Sequence, residues 1–406
     1  MFKNLIRGFS LCVLMILIAL YFQFAQKSVM LQPLIATSQD PKIIFLLFVF
    51  CLVLIILFNE WKGFNKLSKL YICLYSVILF TTYLNSFFTA LNSKITYINI
   101  LLPLLLFLIF YKSRVLNSSP KLVLVLIYVL SLFLISNYIL SYNIMTTLVD
   151  YRTSTNASYF LMYFLPILLI SPKKYIQYFF IISIVLLVAS SFKRGGVISL
   201  LFSIIVYFYL NKITLSGSRN KFIGVFSVII IVITLSFIFV KYDATNDNVL
   251  IERIKNIEQD QGSGRVEVWH TTVDMIVESS FDAIILGHGY NAVQNNSPLK
   301  LSAHNDFLEV LYDFGIIALL FYIVLHLYLI KYTYILIKHR SYYAPIMAMS
   351  YLLFLLTSLV AHVIIYVPFM SIFAIKWGYI IRCVNQESKS KNAKYENRNF
   401  NLSCSL

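Results

Sequence analysis

Residues 262–315 read GSGRVEVWHTTVDMIVESSFDAIILGHGYNAVQNNSPLKLSAHNDFLEVLYDFG, a long polar stretch in a chain that is otherwise strongly apolar. Of the 17 acidic residues, 12 lie between Asp243 and Asp313, together with three of the six histidines. Charged side chains are costly inside hydrocarbon, so a chain anchored by apolar runs keeps them outside. We therefore expect the functional residues in this stretch and membrane anchoring from the remainder.

The composition outside this stretch predicts a membrane protein. Hydrophobic residues make up 60% of the chain and charged residues 12%, against about 45–50% and about 25% in soluble domains. Apolar runs approach the roughly 20 residues that a membrane-spanning helix needs, and the strict alternation of a β-barrel is absent. We predict an all-α, polytopic integral membrane protein with about 12 transmembrane helices and one long, partly helical outer loop. The twelve runs lie near 9–24, 43–59, 70–90, 95–111, 121–141, 158–171, 175–192, 197–210, 222–240, 313–330, 345–365 and 366–382.

The distribution of positive charge predicts the orientation. The first run follows Lys3 and Arg7 without a small-residue cleavage site, so we interpret it as a retained anchor. With a cytoplasmic N-terminus, 21 of the 33 lysines and arginines fall in inside segments, as the positive-inside rule requires. Both termini are then cytoplasmic. The net charge of +16 follows from topology and gives no support to nucleic-acid binding.

This topology divides the chain into four parts. Residues 1–240 are N-terminal transmembrane helices, 241–312 an outward-facing loop with the candidate catalytic residues, 313–385 C-terminal transmembrane helices and 386–406 a cytoplasmic tail. The loop is the only one of the four that combines many ionisable groups with an outward position.

Two helices are predicted in the outer loop. Val266, Trp269, Val273 and Ile276 recur at helical spacing, so Arg265 begins an amphipathic helix. A second helix begins near Ser302, a favourable N-cap residue, and leads into the next span.

His304 falls in the first turn of that second helix. The positive end of the helix dipole favours a neutral imidazole, which can accept a proton. Unpaired N–H groups at the same helix end also suit a phosphate. We expect proton transfer and anion binding to share this place.

Three arginines lie near the membrane surface on the side of His304. Arg152, Arg194 and Arg265 come from three outward segments, and Arg194 follows Lys193 in a tight outer hairpin. Arginine forks match phosphate oxygens bidentately, so together they are candidates for a diphosphate clamp. The alternative is that they reach lipid headgroups or pair with loop carboxylates.

The remaining histidines indicate no metal site. The gaps from His270 to His288 and on to His304 fit no compact ligand spacing, so we expect neither metal nor cofactor. His326 and His362 fall within predicted spans, where packing with hydrogen bonds explains them. Lys376 is a cation deep in the last span and either reaches the surface or lines a cavity.

Several motifs in one order resemble the O-antigen ligase and polymerase superfamily of integral membrane glycosyltransferases. Ser263-Gly264-Arg265 precedes Trp269, and Gly287-His288-Gly289 forms a turn. His304-Asn305 is followed after nine residues by Gly315, which is similar to the ligase signature of His, a small amide or hydroxyl residue, nine residues and Gly.

Two earlier segments also resemble family positions. They are the segment 152–157 and the hairpin Lys193-Arg194-Gly195-Gly196, so the motif similarity covers roughly residues 150–320. Where the family often has Gly as the third residue of the first segment, this chain has Ser154, which weakens the assignment of Arg152.

The resemblance implies a reaction and its participants. An oligosaccharide on undecaprenyl diphosphate would pass to a hydroxyl of an acceptor glycolipid at the periplasmic face of a bacterial inner membrane, without metal or cofactor. His304 would correspond to the essential histidine near the acceptor. Arg194 and Arg265, with Arg152, would bind the donor diphosphate, while Lys193, Asn305, Trp269 and His288 support the site. Membrane lipid is a further partner, and a chain-length regulator is a candidate.

Three functions remain open at this point. A polymerase adds the growing chain to another lipid-linked repeat unit, and the 193–196 hairpin favours it. A ligase moves the chain to lipid A–core, and the signature at His304 favours that. A transporter of lipid-linked sugar is the alternative of another class, although carriers usually place carboxylates inside their spans.

Overall fold

All regular secondary structure in the described part of the chain is helical. The computed structural model describes residues 2–31, 41–58, 66–86, 94–112, 120–148, 157–171, 173–191, 193–215 and 264–403. These ranges contain fourteen α-helices: α1 (Phe2–Leu31), α2 (Pro41–Phe58), α3 (Lys66–Ser86), α4 (Lys94–Lys112), α5 (Pro120–Leu148), α6 (Ser158–Leu168), α7 (Lys174–Ala189), α8 (Arg194–Leu215), α9 (Arg265–Val277), α10 (Phe281–Leu286), α11 (Ala292–Asn296), α12 (Asp306–Lys338), α13 (Ala344–Val360) and α14 (Val367–Ser403).

The long helices have the length and composition of membrane spans. Six described helices qualify by both criteria, and five shorter ones are also apolar. Large apolar side chains such as Phe9, Ile198 and Tyr175 are 66–71% exposed on the outer faces, as expected for groups that face lipid rather than water. The chain is therefore a multi-pass helical membrane protein. Eleven of the twelve predicted runs coincide with described helices, the run 222–240 lies outside the described residues, and the count of twelve stays a prediction.

Helix α14 forms the centre of the bundle. Its span Val367–Gln386 is 89% buried, whereas the other five candidate spans are 39–44% buried. Its closest neighbours are α4 and α6. A Cβ atom on Gly378 would lie 2.7 Å from the carbonyl oxygen of Phe107, so glycine allows α14 and α4 to approach at backbone distance.

Helix α12 is broken at Gly315, where φ is +78° and ψ is 177°. The break leaves two carbonyl groups without helical partners, and the turn 287–289 supplies the missing donors. His288 N–H donates to the Tyr312 oxygen (3.0 Å) and Gly289 N–H to the Asp313 oxygen (2.7 Å). The sequence predicted glycine turns here but not that one turn would pair with a helix break 26 residues later.

The start of α12 corrects one prediction. The helix begins at Asp306, and the side chain of Asn305 caps it by accepting hydrogen bonds from Phe307 N–H (3.0 Å) and Leu308 N–H (3.3 Å). Ser302 is not the N-cap, and His304 lies before the helix rather than in its first turn. Asparagine is as good an N-cap as serine, so the candidates three residues apart could not be ranked by residue type.

The prediction of a helix beginning at Arg265 is confirmed, but its predicted apolar stripe is only partly correct, because Val266 and Val273 are exposed while Val268 and Thr272 are buried. Helix α9 runs from Arg265 to Val277, after Gly264 with a φ of +75°. It packs on α12 near the membrane-spanning bundle. Residues 241–263, the first part of the predicted outer loop, lie outside the described residues.

Candidate functional site

The segment 302–306 leads into α12 and includes its first residue, Asp306. Each of its residues contacts another part of the protein. Ala303 accepts a hydrogen bond from the indole Nε1 of Trp269 at 2.9 Å. Asn305 caps α12, and the fully buried Asp306 accepts from the backbone N–H groups of Val363 (2.7 Å) and Ile364 (3.2 Å). The hydroxyl of Tyr322 donates to the same carboxylate at 2.9 Å. These contacts fix the backbone on both sides of His304.

His304 itself adopts a left-handed backbone conformation, with φ of +51°. Such a conformation is uncommon for a residue with a Cβ atom, and it is found more often at functional sites than elsewhere. It turns the chain just before the N-cap and leaves the ring half-buried on the wall of a cavity. The helix end is still one residue away, so the predicted neighbourhood holds while the predicted position in the first turn is wrong.

A second histidine contacts His304. The Nδ1 atoms of His304 and His362 are 3.1 Å apart, and the two rings lie 5.0 Å apart at an interplanar angle of 27°. The Ser302 hydroxyl lies 3.1 Å from the same Nδ1 of His362. His362 lies in the segment 361–366 between α13 and α14, so the interpretation that placed it inside a span is wrong.

The surroundings of both imidazole rings disfavour the positively charged, doubly protonated form. Burial, together with the smaller effects of the positive charges of Arg265 and Lys193, lowers the pKa of His304 to about 4. Burial, together with the smaller effects of His304 and Lys193, lowers the pKa of His362 to about 3. Both rings are therefore neutral at pH 7.

The positive charges come from α9 and from the hairpin before α8. Arg265 is the first residue of α9, and its Nη1 lies 4.0 Å from where a Cβ atom on Gly195 would be. The Tyr159 hydroxyl lies 4.0 Å from the same point. Gly196 allows this close packing, because a Cβ atom there would lie 2.8 Å from the ring of Tyr159. The sequence-distant hairpin and the loop helix thus meet beside His304.

Two of the predicted arginines cannot be placed in the same detail. Arg194 begins α8, directly after Lys193, but its side chain lies outside the described part of the structure. Arg152 also lies outside the described residues. Their roles stay predictions, and Arg265 with Lys193 are the cations that the structure brings to His304.

His288 has a different environment from His304. Its ring stacks on Tyr312 at 4.1 Å and 12°. Its Nδ1 lies 3.1 Å from the Tyr312 carbonyl oxygen, and its Nε2 lies 3.4 Å from the Ser279 hydroxyl. A carbonyl can only accept, so Nδ1 carries the hydrogen. His288 thus joins the glycine turn to α12, which is a structural form of support.

A cavity of about 450 Å³ opens beside the two histidines. Among the residues that the structure describes, its lining is rich in amide and aromatic side chains and includes no Lys, Arg, Asp or Glu. The lining residues are Asn99, Tyr290, Asn291, Gln294, Leu301, Ser302, His304, His362, Ile365, Tyr366, Val367, Pro368 and Phe369. Uncharged hydrogen-bonding groups beside aromatic rings suit a polar, uncharged ligand.

No metal centre is found among the side chains that the structure describes. In those ranges no three His, Cys, Asp or Glu residues come close enough to hold an ion. His270 is exposed on α9, and His288 is engaged by Tyr312.

Sequence reasoning missed His362 and Asp306. Both belong to contacts between segments about 57 residues apart, and neither has a short motif. One signal was present: the polar His362 interrupts the apolar run 345–365, so a break between two helices could have been considered.

Comparison with known proteins supports the motif assignment. Residues 178–323 match the family model described as O-antigen ligase. The matched region contains the 193–196 hairpin, Arg265 and His304, while His362 lies beyond it. No curated protein matches the chain. This family match, together with the motif order and the helical architecture, supports the assignment of residues 178–323 to the O-antigen ligase/polymerase superfamily.

Proposed function

We propose that this protein transfers a glycan from undecaprenyl diphosphate to an acceptor hydroxyl at the periplasmic face of a bacterial inner membrane. The principal proposed activity is polymerisation of O-antigen or related polysaccharide repeat units. The observation that carries this proposal is a neutral histidine, His304, beside a polar cavity and within the electrostatic reach of Arg265 and Lys193.

The proposed step is a displacement at the anomeric carbon of the donor. The acceptor oxygen forms a bond to that carbon while the bond to the diphosphate oxygen breaks. The hydroxyl proton passes to His304, and the electron pair leaves with undecaprenyl diphosphate. Negative charge therefore grows on the leaving group, where Arg265 and Lys193 would stabilise it most in the transition state. Arg194 and Arg152 are further candidates for that task.

The cavity is the proposed place for sugar. Asn99, Asn291 and Gln294 can each donate and accept hydrogen bonds, as sugar hydroxyls do. Tyr366 and Phe369 also line the cavity, and aromatic rings suit the apolar side of a pyranose. Arg265 and Lys193 are not among the described lining residues, so the charged diphosphate would bind beside the cavity rather than inside it.

Ligation to lipid A–core is the second candidate. The matched family model is described as O-antigen ligase, and the His-Asn-x9-Gly pattern at His304 agrees with the ligase signature. Polymerase and ligase would share the donor, so the groups that bind diphosphate do not separate them. The two activities differ in the acceptor, which is a lipid-linked repeat unit for a polymerase and lipid A–core for a ligase.

The test uses purified protein in liposomes with a lipid-linked oligosaccharide donor. Lengthened lipid-linked glycan with donor alone supports a polymerase, whereas product that requires added lipid A–core supports a ligase. Movement of the donor across the bilayer without any transfer supports a transporter and contradicts the proposal. Added chain-length regulator would change the product distribution only in the polymerase case.

The proposed orientation has its own test. A periplasmic reporter fused after Asn295 should be active, and a cytoplasmic reporter fused after Gly217 or Asn392 should be active. Opposite results at these positions would place His304 in the cytoplasm, where the proposed donor sugar is not presented.

A further inference from the structure

The contact between His304 and His362 requires a hydrogen between two nitrogen atoms. At 3.1 Å the two Nδ1 atoms are within hydrogen-bond distance, and one must donate while the other accepts. Because burial keeps both rings neutral at pH 7, each ring holds a single N–H. Two arrangements are possible, and they differ in what remains at the outer nitrogen of His304.

The arrangements have opposite chemical consequences. If His304 holds its hydrogen on Nδ1, its Nε2 has a free lone pair and can take a proton. If His362 donates instead, Nε2 of His304 carries the hydrogen and cannot act as a base. The Ser302 hydroxyl, 3.1 Å from Nδ1 of His362, can donate or accept there and so fits both arrangements. Only the first arrangement leaves His304 able to act as the base of the proposed transfer.

The position of His362 is fixed from α12. Asp306, two residues after His304, accepts hydrogen bonds from the backbone of Val363 and Ile364. The Tyr290 hydroxyl donates to the carbonyl of Ile365 at 2.8 Å. The segment that carries His362 is therefore attached to the segment that carries His304, which keeps the two rings in register.

We propose that His362 is a positioning residue: its Nδ1 accepts the Nδ1–H of His304 and leaves Nε2 of His304 free for the acceptor proton. The inference rests on the proposed function. In the transfer step the proton moves from the acceptor oxygen to Nε2 of His304. The Nδ1–H stays on His304 and remains accepted by His362, so the new imidazolium keeps a hydrogen-bond partner inside a buried site.

Other charged and titratable groups also lie near His304 and His362. Arg265 at the start of α9 and Lys193 before α8 both act on His304, and Lys193 acts on His362. From α12, the buried Glu309 interacts with the backbone of His304. From the α14 side, the Tyr366 ring lies 6.2 Å from the His362 ring. His362 is the member of this set that contacts the Nδ1 of His304.

The first experiment compares two conservative variants of the purified full-length protein. In His362→Asn the amide oxygen can take the place of Nδ1, whereas in His362→Gln it is displaced by one carbon. We expect His362→Asn to keep kcat within about threefold of wild type and His362→Gln to lose about tenfold or more, with the donor KM little changed. Equal activity of the two variants, whether high or low, would overturn the inference.

The second experiment does not depend on activity. Nitrogen-15 NMR of histidine-labelled protein, assigned with His304→Ala, reports which ring nitrogen of His304 carries hydrogen. We expect hydrogen on Nδ1 in the wild type and a shift of population to Nε2 in His362→Ala. An Nε2–H form of His304 in the wild type would overturn the inference. Absent glycan transfer by the wild type would instead overturn the proposed function, so the two failures are distinguishable.

Discussion

His288 and His304 lie 16 residues apart in the same outer region, yet the structure uses them differently. The ring of His288 is stacked on Tyr312, and both its nitrogens have partners. His304 contacts His362 through Nδ1 and lies on a cavity wall. The difference lies in what each ring nitrogen contacts, and residue type alone does not reveal it.

The backbones around the two histidines differ in the same way. The turn 287–289 repairs the hydrogen bonding of α12 at its break, and glycine is required on both sides of that contact. The segment 302–306 is fixed by side chains from α9, α12 and the 361–366 segment. The turn 287–289 thus stabilises α12, and the segment 302–306 depends on α12 for its position. Substitutions in the two segments test this difference.

The largest effect is expected for Gly315→Ala. A Cβ atom there would collide with the carbonyl oxygen of Ile285 and lie 2.7 Å from the backbone nitrogen of Gly287, in addition to the strain of a φ of +78°. We expect little folded protein after detergent extraction, measured by fluorescence-detected size exclusion. Gly264→Ala is the matched control: its φ is +75°, but its Cβ would meet none of the described residues within 4 Å. It should cost only about 1–2 kcal/mol. Equal yields of both variants would contradict the interlocked turn.

The next largest effect separates the two histidines directly. His304→Ala should lower the transfer rate by about 10²–10⁴, the range for loss of a general base. His288→Ala, at equal amounts of folded protein, should keep the rate within about threefold, since its contacts lie elsewhere. Exposed His270→Ala is a second control. Initial rates in liposomes provide the measurement, and a wild-type rate for His304→Ala would remove the proposed site.

Arg265→Lys tests the donor side of the same site. Lysine keeps the charge and loses the planar fork, so we expect a loss of about tenfold to a hundredfold in kcat/KM for the donor. Arg265→Ala should lose more. Lys300→Ala is a matched control, because Lys300 is an exposed cation of the same loop that donates to the Asn295 carbonyl at 2.7 Å. Equal activity of wild type and Arg265→Lys would reduce Arg265 to an ordinary surface charge.

The sequence predicted much of the architecture for identifiable reasons. Apolar runs placed eleven of the described helices, and helical spacing placed α9 from its first residue, Arg265. These features are local, so the chain itself encodes them. The N-cap of α12 was misplaced because Ser302 and Asn305 both favour that position.

The contacts that assemble the site could not be obtained in the same way. His362 meets His304 because α13 ends at Val360, and Asp306 holds the following segment by backbone hydrogen bonds. No periodicity reports a backbone donor 57 residues away. The cations were predicted on general grounds, yet the proximity of Arg265 to Gly195 depends on how α9 packs on the bundle. Local pattern predicts elements, and packing determines which side chains meet.

A smaller effect is expected for the stability of His288→Ala. The variant loses a hydrogen bond to Tyr312 and a ring stack, each worth about 0.5–1.5 kcal/mol. We expect a loss of about 2 kcal/mol in the free energy of unfolding, seen as a lower thermal midpoint in detergent, with transfer per folded molecule unchanged. A matched His270→Ala should leave the midpoint unchanged. A rate loss without a stability loss would assign His288 to the chemistry and erase the contrast with His304.

The finest distinction concerns pH. Burial first, then Arg265 and Lys193, lowers the pKa of His304 to about 4. A base must be neutral, so kcat/KM, which reports the free enzyme, should stay level as pH falls through 6.5 and decline only near pH 4.

A bound diphosphate would offset the two cations and leave burial as the main cause, so the pKa of His304 should rise in the complex. The acid limb of kcat should therefore lie at a higher pH than that of kcat/KM. Lys193→Gln should move the kcat/KM limb upward, since one cation is removed, while burial keeps it below 6.5. Initial rates from pH 4 to 8 provide the measurement. An acid limb of kcat/KM at pH 6.5 in the wild type would mean that His304 titrates as an exposed histidine, which contradicts its burial beside His362.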